Sequence, residues 1–260
     1  MLKVENVDVY GWEAAIRGMR NPMNSWKKSD SDWFDSQNFC KPEGVELEKN
    51  YYWVKEGQCD FVYGVGPNDQ KLMESLAKGG PVHAKFRRML NITMDITAPL
   101  YWWKEFDTYK VGTVANSCST MHKIQSKEFT IDDFSCEHLL STADLLEDLH
   151  HKDIKELRMF AAVDVQGNMC YYTPKHFINM TCDILNHYRK LFLETNDKRY
   201  WWQMIQLLPS SYNQKRTVQM NYEVAAHIYP DRKGHKLDEW HILCDEFKKL
   251  PYSFLITGEK

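Results

Sequence analysis

Apolar and polar residues alternate in three parts of the chain, which is the pattern of strands with one buried face. The alternation is loose over residues 1–10 and clearer in the β-rich segment 85–99, KFRRMLNITMDITAP. Residues 161–172 predict a strand, a turn at Gly167 and a second strand. The apolar positions of the first strand are Leu2, Val4, Val7 and Val9.

Apolar residues at helical spacing predict helices in six other parts of the chain. The clearest is residues 68–80, where Asn68 or Asp69 caps the start and Gly79 ends the helix. Residues 236–250 place an apolar stripe on one helix face. The other predicted helices lie at residues 12–22, 142–160, 174–195 and 218–229.

The order of these elements predicts an α/β (α+β) protein with a mixed, mainly antiparallel sheet flanked by helices. The 260 residues are 43% hydrophobic and 27% charged, a globular composition that provides a sizeable core. We expect a single domain over residues 1–260, with a helical and hairpin insertion around 124–200.

Charge and cysteine content exclude several classes of function. The net charge of −3 and the pI near 6.4 show no basic footprint for nucleic acid. Seven cysteines without a CxxC pair indicate reduced thiols and no zinc ribbon, and we expect no metal site. The N-terminus has no apolar signal core, and no apolar run approaches membrane-spanning length. We therefore expect a soluble, cytoplasmic protein without a membrane or nucleic-acid partner.

One segment, EFDTYKVGTVANSCSTMHK at residues 105–123, changes from aromatic and charged to small and hydroxyl-rich. On a helix, Asn116, Ser119 and Lys123 share one face at i, i+3 and i+7. Such a face can donate hydrogen bonds to a phosphate or a ribose. The segment therefore predicts a helix that lines a polar pocket.

A block around this segment shares its order and spacing with a known family. Residues 99–122 carry Glu105 where the family has Gln, and Thr108–Lys110 where it has Arg-His-Arg. Asn116 and Ser119 match the family's Asn and Ser in the same block. Ser117, Met121 and His122 stand in place of a Glu, a phosphate-binding Arg and a Tyr.

A second block, residues 205–245, matches the same family. Asn221 and Arg232 stand at the family's spacing, and Lys215 or Arg216 supplies the cation of the preceding loop. The remaining matches are Pro81, His83, Leu208, Pro209, His235 and Glu239. The chain thus resembles the flavin-dependent thymidylate synthases, which methylate dUMP through FAD.

The resemblance implies a fold, ligands and an assembly. It implies FAD as cofactor and dUMP as substrate, with NADPH and methylenetetrahydrofolate as co-substrates. It also implies a homotetramer. Because the Arg-His-Arg cluster is replaced, two alternatives stay open. One is an enzyme of this fold that acts on another pyrimidine nucleotide, and the other is a non-catalytic homologue that binds flavin or nucleotide or serves in assembly.

The resemblance also implies roles for individual residues. The catalytic candidates are Arg232 and Ser119, since a guanidinium beside a pyrimidine stabilises negative charge on the ring. The pattern places Arg232 in a loop. The cofactor-binding candidates are Lys110, Asn116, Asn221, His83 and His235. The substrate-binding candidates are Glu105, Ser119, Lys215, Arg216 and Arg232.

Overall fold

A computed structural model describes residues 2–35, 52–54, 61–144, 160–163 and 166–259. Its strands are β1 (Lys3–Tyr10), β2 (Asp32–Asp35), β3 (Tyr52–Val54), β4 (Phe61–Val65), β5 (Asn91–Pro99), β6 (Thr113–Ser117), β7 (Phe160–Val163), β8 (Met169–Tyr172) and β9 (Asn213–Asn221). Its helices are α1 (Trp12–Arg20), α2 (Pro67–Lys78), α3 (Leu100–Phe106), α4 (Pro174–Thr195), α5 (Lys198–Leu207), α6 (Tyr222–Arg232), α7 (Asp238–Lys249) and α8 (Phe254–Thr257).

The strands form three sheets. The largest has the order β1-β5-β9-β6, and β1 pairs with β5 in antiparallel register from Lys3 opposite Thr97 to Tyr10 opposite Asn91. Strands β2, β4 and β3 form an antiparallel sheet in that order, and β7 and β8 form the predicted hairpin. The predicted class, an α/β (α+β) protein with a mainly antiparallel sheet and flanking helices, is confirmed.

The chain forms two compact units. The larger unit comprises Leu2–Thr97, Phe106–Asn116 and Arg216–Lys260, and the smaller comprises Ala98–Glu105 and Ser117–Lys215. The insertion predicted around residues 124–200 lies inside the smaller unit. The description of residues 1–260 as a single domain stays a prediction. In the part of the chain that the structure describes, no helix is both long enough and apolar enough to cross a bilayer.

Each unit has its own buried apolar residues. In the larger unit every second residue of β5 is fully buried, as at Ile92, Met94 and Ile96, so the strand has one inward face. The predicted stripe on α7 is also buried, and it includes Trp240 and Phe247. The core of the smaller unit consists of Ile124, Phe129, Phe134, Ile178, Cys182, Leu185 and Met204.

Some predicted boundaries are wrong. Residues 218–221 belong to strand β9, whose Val218 and Met220 are buried on alternate positions, and the helix begins only at Tyr222. Helix α2 begins at Pro67, and proline is favoured at the first helical position. Asn68 and Asp69 therefore lie inside the helix and are not its cap. Most of the predicted helix at 142–160 lies outside the described residues.

Asp69 instead forms a buried polar cluster. Arg20 donates from Nε to the Asp69 carboxylate at 2.5 Å, and the side chains are 5% and 0% exposed. The second carboxylate oxygen accepts from the hydroxyls of Ser29 and Ser31 at 2.7 Å and from the backbone N–H groups of Asp30 and Ser31 at 3.1 Å. The carboxylate therefore ties α1 and the segment before β2 to α2.

Asp69→Asn is expected to lower the free energy of unfolding by about 3–5 kcal/mol, because it leaves the buried Arg20 guanidinium without its counter-charge. Urea denaturation monitored by circular dichroism measures the loss. Asp245→Asn is the control, since Asp245 forms an exposed pair with Lys248 and its loss is expected to change stability little.

The stabilisation by Asp69 is also expected to depend on pH. Burial raises the pKa of the Asp69 carboxyl, but the Ser31 and Ser29 hydroxyls and the Arg20 guanidinium outweigh burial and hold the pKa below its ordinary value of 3.8. The stabilisation is therefore present above that value and is lost as the pH falls through the folded-state pKa. The stability difference between wild type and Asp69→Asn should shrink on acidification, and a constant difference would contradict this account.

Candidate functional site

The larger unit contains a cavity of about 600 Å³, here called the first cavity. Two segments that are distant in sequence form most of its wall, namely the loop after α3 and the junction between β9 and α6. Its lining residues are Arg88, Thr108, Tyr109, Lys110, Val111, Gly112, Asn221, Glu223, Val224 and His227.

Asn221 fixes the geometry of this junction. It is the last residue of β9 and the N-cap of α6, and its side-chain oxygen accepts from the N–H of Val224 at 3.0 Å. The N–H of Tyr222 donates to the carbonyl of Leu90 at 2.9 Å. Because the carbonyl oxygen of the Asn221 side chain is committed to the helix, its NH₂ group is the part that can donate to a ligand.

The loop opposite this cap approaches it closely at Gly112. Gly112 has φ +79°, in the left-handed region that favours glycine. A Cβ atom at this position would lie 3.0 Å from Cγ2 of Val224 and 3.3 Å from Nδ2 of Asn221. Glycine therefore allows the loop to form its turn and to come within contact distance of the helix start.

The charged groups at the first cavity leave it with a positive charge. Arg88 and Glu223 form a two-point ion pair, with Nε–Oε2 and Nη2–Oε1 distances of 2.6 and 2.9 Å. The hydrogen bond from Arg88 is the main cause that lowers the pKa of Glu223, so this pair stays ionised and neutral overall. Lys110 is exposed at the rim and adds the remaining full positive charge. His227 is exposed on α6.

Arg232 contacts the loop that forms the cavity wall. Its Nε donates to the hydroxyl of Tyr109 at 2.9 Å, and its guanidinium lies 5.5 and 4.5 Å from the ring centroids of Tyr109 and Trp240. The predicted loop position of Arg232 is wrong, because this residue is the last of helix α6. Arg232 does not line the first cavity itself, and it supports the lining residue Tyr109.

Arg216 fixes the other end of the same loop. Its Nη1 donates to the carboxylate of Asp107 at 2.7 Å, and the arginine side chain is only 15% exposed. Asp107 directly precedes the lining residue Thr108. The guanidinium is thus held against the loop, beside the cavity and not in it.

The helix predicted for Asn116, Ser119 and Lys123 is wrong. Asn116 lies in strand β6, and the hydroxyl of Ser119 accepts from the N–H groups of Met121 and His122 at 3.2 and 2.9 Å. Short polar side chains compete with helical hydrogen bonds in this way, which favours turns. The side chains of Asn116, Ser119 and Lys123 are exposed.

The other predicted site residues lie elsewhere. His83 is exposed in the turn after α2, and the Nδ1 of His235 accepts from the N–H of Leu237 at 3.2 Å. Glu105 and Lys215 belong to the smaller unit, where the Lys215 carbonyl accepts from the N–H of Cys118. Of the residues predicted for the site, Lys110 and Asn221 are the ones that line the first cavity.

Sequence reasoning missed Arg88, Glu223 and His227. Glu223 and His227 are four residues apart, so they share one face of a helix that begins at Tyr222. The helix predicted over residues 218–229 already contains this i, i+4 pair, so the signal was present in the sequence. Arg88 belongs to a segment that the sequence predicts as strand and that forms the 3₁₀ helix Lys85–Arg88.

Comparison with known proteins identifies the fold. A crystal structure of thymidylate synthase X from Helicobacter pylori with FAD and dUMP is similar to this chain with a TM-score of 0.56 and 16% sequence identity, covering 100% of this chain and 98% of that one. A second structure, flavin-dependent thymidylate synthase from Helicobacter pylori complexed with FAD and dUMP, gives a TM-score of 0.55 and 16% identity, with 98% of both chains covered. No protein-family model and no curated protein matches the sequence.

The chain therefore has the α/β fold that these two structures share. Specifically, this is the fold of the flavin-dependent thymidylate synthases. The resemblance found in the sequence is confirmed at this level.

Gly112→Ala is expected to destabilise the protein more than Gly80→Ala. Both glycines have positive φ, which costs an alanine roughly 1–2 kcal/mol. Only at Gly112 would the added methyl group also meet neighbouring side chains, since nothing lies within 4 Å of a Cβ at Gly80. Thermal unfolding of the two variants separates backbone strain from crowding. Equal losses would contradict the close approach of the loop to Asn221.

Proposed function

We propose that this protein is an FAD-dependent enzyme that acts on a pyrimidine nucleotide, and that its reaction is the reductive methylation of dUMP to dTMP. One observation carries the proposal. Lys110 and Asn221, which the resemblance assigns to the flavin site, line one cavity although they are distant in sequence. The fold is that of structures determined with FAD and dUMP.

The residues of the first cavity fit a flat, anionic ligand. The volume of about 600 Å³ is typical of a small-molecule site. The NH₂ group of Asn221 suits the carbonyl oxygens of a flavin or a pyrimidine ring, and the ring of Tyr109 offers a flat surface. Lys110 at the rim suits a phosphate. When bound, FAD supplies electron transfer, with NADPH as reductant and methylenetetrahydrofolate as carbon donor in this proposal.

The chain's own residues orient the ligands and stabilise charge. In the proposed site Asn221 orients the ring, and the Arg88–Glu223 pair closes one wall without adding net charge. Arg232 holds Tyr109 from outside the first cavity, and in the proposal its positive charge acts across this ring on the negative charge that develops on the pyrimidine. Ser119 as a second catalytic residue, a cytoplasmic location and a homotetrameric assembly belong to the same proposal.

A second candidate is a homologue with altered specificity, or one that binds flavin or nucleotide without catalysis. The observation that favours it is the composition of the loop. Thr108 and Tyr109 line the cavity where the family's Arg and His stand, so only Lys110 keeps the positive charge of that cluster.

The visible absorption spectrum of the purified protein, incubated with FAD and then desalted, tests the proposal. A retained flavin spectrum that shifts on addition of dUMP supports both ligands in one site. Turnover to dTMP with NADPH and methylenetetrahydrofolate then separates the enzyme from the binding protein. Complete loss of FAD in the desalting step would overturn the proposal.

Asn221→Asp is expected to lose FAD while keeping its stability. Aspartate caps a helix as well as asparagine does, so the hydrogen bond to Val224 is retained. The change replaces the NH₂ donor with an oxygen and adds a negative charge to the cavity. We expect the dissociation constant for FAD to rise at least about tenfold, which corresponds to the loss of one strong hydrogen bond.

Lys110→Gln is the companion variant, and Lys104→Gln on α3 is its matched control, since Lys104 is exposed and does not line the cavity. FAD retention after desalting and the unfolding temperature are measured for Asn221→Asp, Lys110→Gln and Lys104→Gln. Unchanged affinity in both Asn221→Asp and Lys110→Gln would remove the first cavity as the flavin site.

Arg232 is expected to act on FAD binding through Tyr109. Tyr109→Phe removes the hydroxyl that accepts from Arg232, and Arg232→Gln removes the cation. If the arginine works by holding the tyrosine, the double variant weakens FAD binding no more than Arg232→Gln does. A double-mutant cycle on FAD affinity measures this coupling. Strictly additive losses would show that the two residues act independently.

A further inference from the structure

The larger unit contains a second cavity of about 450 Å³, beside the first cavity along α6. The end of α2, the helix α6 and the C-terminal residues from Phe254 to Gly258 form its walls. Its basic lining residues are Lys78, Arg87, His227 and Lys233. Glu74 is the acidic residue in the lining. We propose that this second cavity binds an organic phosphate with a flat body, such as a nucleoside monophosphate, independently of the first cavity.

Arg87 is the central observation. Its Nη1 donates to the carbonyl of Leu255 at 3.0 Å, which holds the guanidinium in the cavity wall. Its Nε is buried and has no hydrogen-bond partner among the residues that the structure describes. Burial lowers the pKa of Arg87, and the charge of Glu223 only partly opposes this effect. Because a guanidinium stays ionised in proteins, an anion in the cavity would supply the missing counter-charge.

Two lysines add to the positive charge beside Arg87. Lys78 is exposed at the end of α2, and Lys233 follows α6. Lys233 pairs with Glu259 at 3.2 Å, and both side chains are more than half exposed. An exposed pair of this kind contributes little to stability. A phosphate can therefore replace the Glu259 carboxylate as the partner of Lys233 at small cost.

The rest of the cavity suits a nucleoside better than a free phosphate. Pro81, Pro230 and Ile256 provide apolar surface for a flat ring. Pro230 lies inside α6 and has no N–H, so the carbonyl of Ala226 lacks its usual helical donor. Ala226 also lines the cavity, where its carbonyl can accept a hydrogen bond from a ribose hydroxyl or a base amine. A volume of about 450 Å³ is within the range of small-molecule sites.

The two cavities are neighbours but have separate cations. His227 lines both of them, whereas Arg87 lines the second and Arg88 the first. Arg88 already has Glu223 as its partner, and no carboxylate of the described residues pairs with Arg87. An anionic ligand would therefore compensate more unpaired charge in the second cavity than in the first. Binding of such a ligand in the second cavity does not depend on FAD.

Isothermal titration calorimetry of the full-length protein with adenosine monophosphate tests the proposal. We expect one binding site, with affinity reduced at least about tenfold in Arg87→Gln and clearly reduced in Lys78→Gln and Lys233→Gln. Lys71→Gln is the matched control on α2, since Lys71 is exposed and does not line the cavity. The two lysine variants keep the test decisive if Arg87→Gln unfolds, because both side chains are exposed.

Three results would overturn the proposal. The first is the absence of binding at millimolar adenosine monophosphate. The second is equal affinity in wild type, Lys78→Gln, Lys233→Gln and Arg87→Gln. The third is a loss of affinity in Lys110→Gln, which would place the nucleotide in the first cavity. Inorganic phosphate that binds as tightly as adenosine monophosphate would overturn the nucleoside part.

FAD retention is measured in the same variants by visible absorption. We expect it to be unchanged in Lys78→Gln and Lys233→Gln, because neither lysine lines the first cavity. Binding of adenosine monophosphate without FAD retention would overturn the proposed function alone. FAD retention without binding of adenosine monophosphate would overturn the second site alone.

Discussion

The hydrogen bond from the N–H of Val224 to the side chain of Asn221 sets the point at which strand β9 becomes helix α6. An N-cap residue keeps extended backbone angles, and Asn221 has φ −106° and ψ 169°, so one residue serves both elements. The end of the strand therefore determines where the helix begins and which of its side chains face each side. Glu223 lines the first cavity, Ala226 and Pro230 line the second, and His227 lines both.

The arginines next to this helix show how chain geometry separates two neighbouring charges. Arg87 and Arg88 are consecutive in the 3₁₀ helix Lys85–Arg88, where successive side chains are about 120° apart. They consequently line different cavities. Arg88 is neutralised by Glu223, whereas Arg87 is held by a backbone carbonyl, which positions the guanidinium without cancelling its charge. The same short segment thus supplies one cation paired with a carboxylate and one cation without a carboxylate partner among the described residues.

Much of the fold could be predicted from the sequence, because strands such as β5 bury alternate residues and helices such as α7 have a single apolar stripe. The start of α6 could not, because this helix is buried on one side and lines cavities on others, so its apolar residues give no clear period. The hydroxyl-rich segment around Ser119 was misassigned because its side chains bond to the local backbone, which periodicity does not reveal. Lys110 and Asn221 could be predicted from the family resemblance, whereas Arg88 reaches the first cavity only through tertiary structure.

In the proposed function, Thr108, Tyr109 and Lys110 stand where the flavin-dependent thymidylate synthases have Arg-His-Arg, and Lys110 is the remaining cation of that cluster. With one full cation at the rim, electrostatic attraction contributes less to the binding of an anionic nucleotide than a cluster of arginines would. Ring stacking must then contribute more, and Tyr109 can serve this purpose only if its orientation is fixed. Arg232 and Trp240 provide that constraint, because the guanidinium bonds to the tyrosine hydroxyl and packs on both rings. In the proposed function, a cation that stabilises an aromatic wall thus takes over part of the role of cations that would have touched the ligand directly.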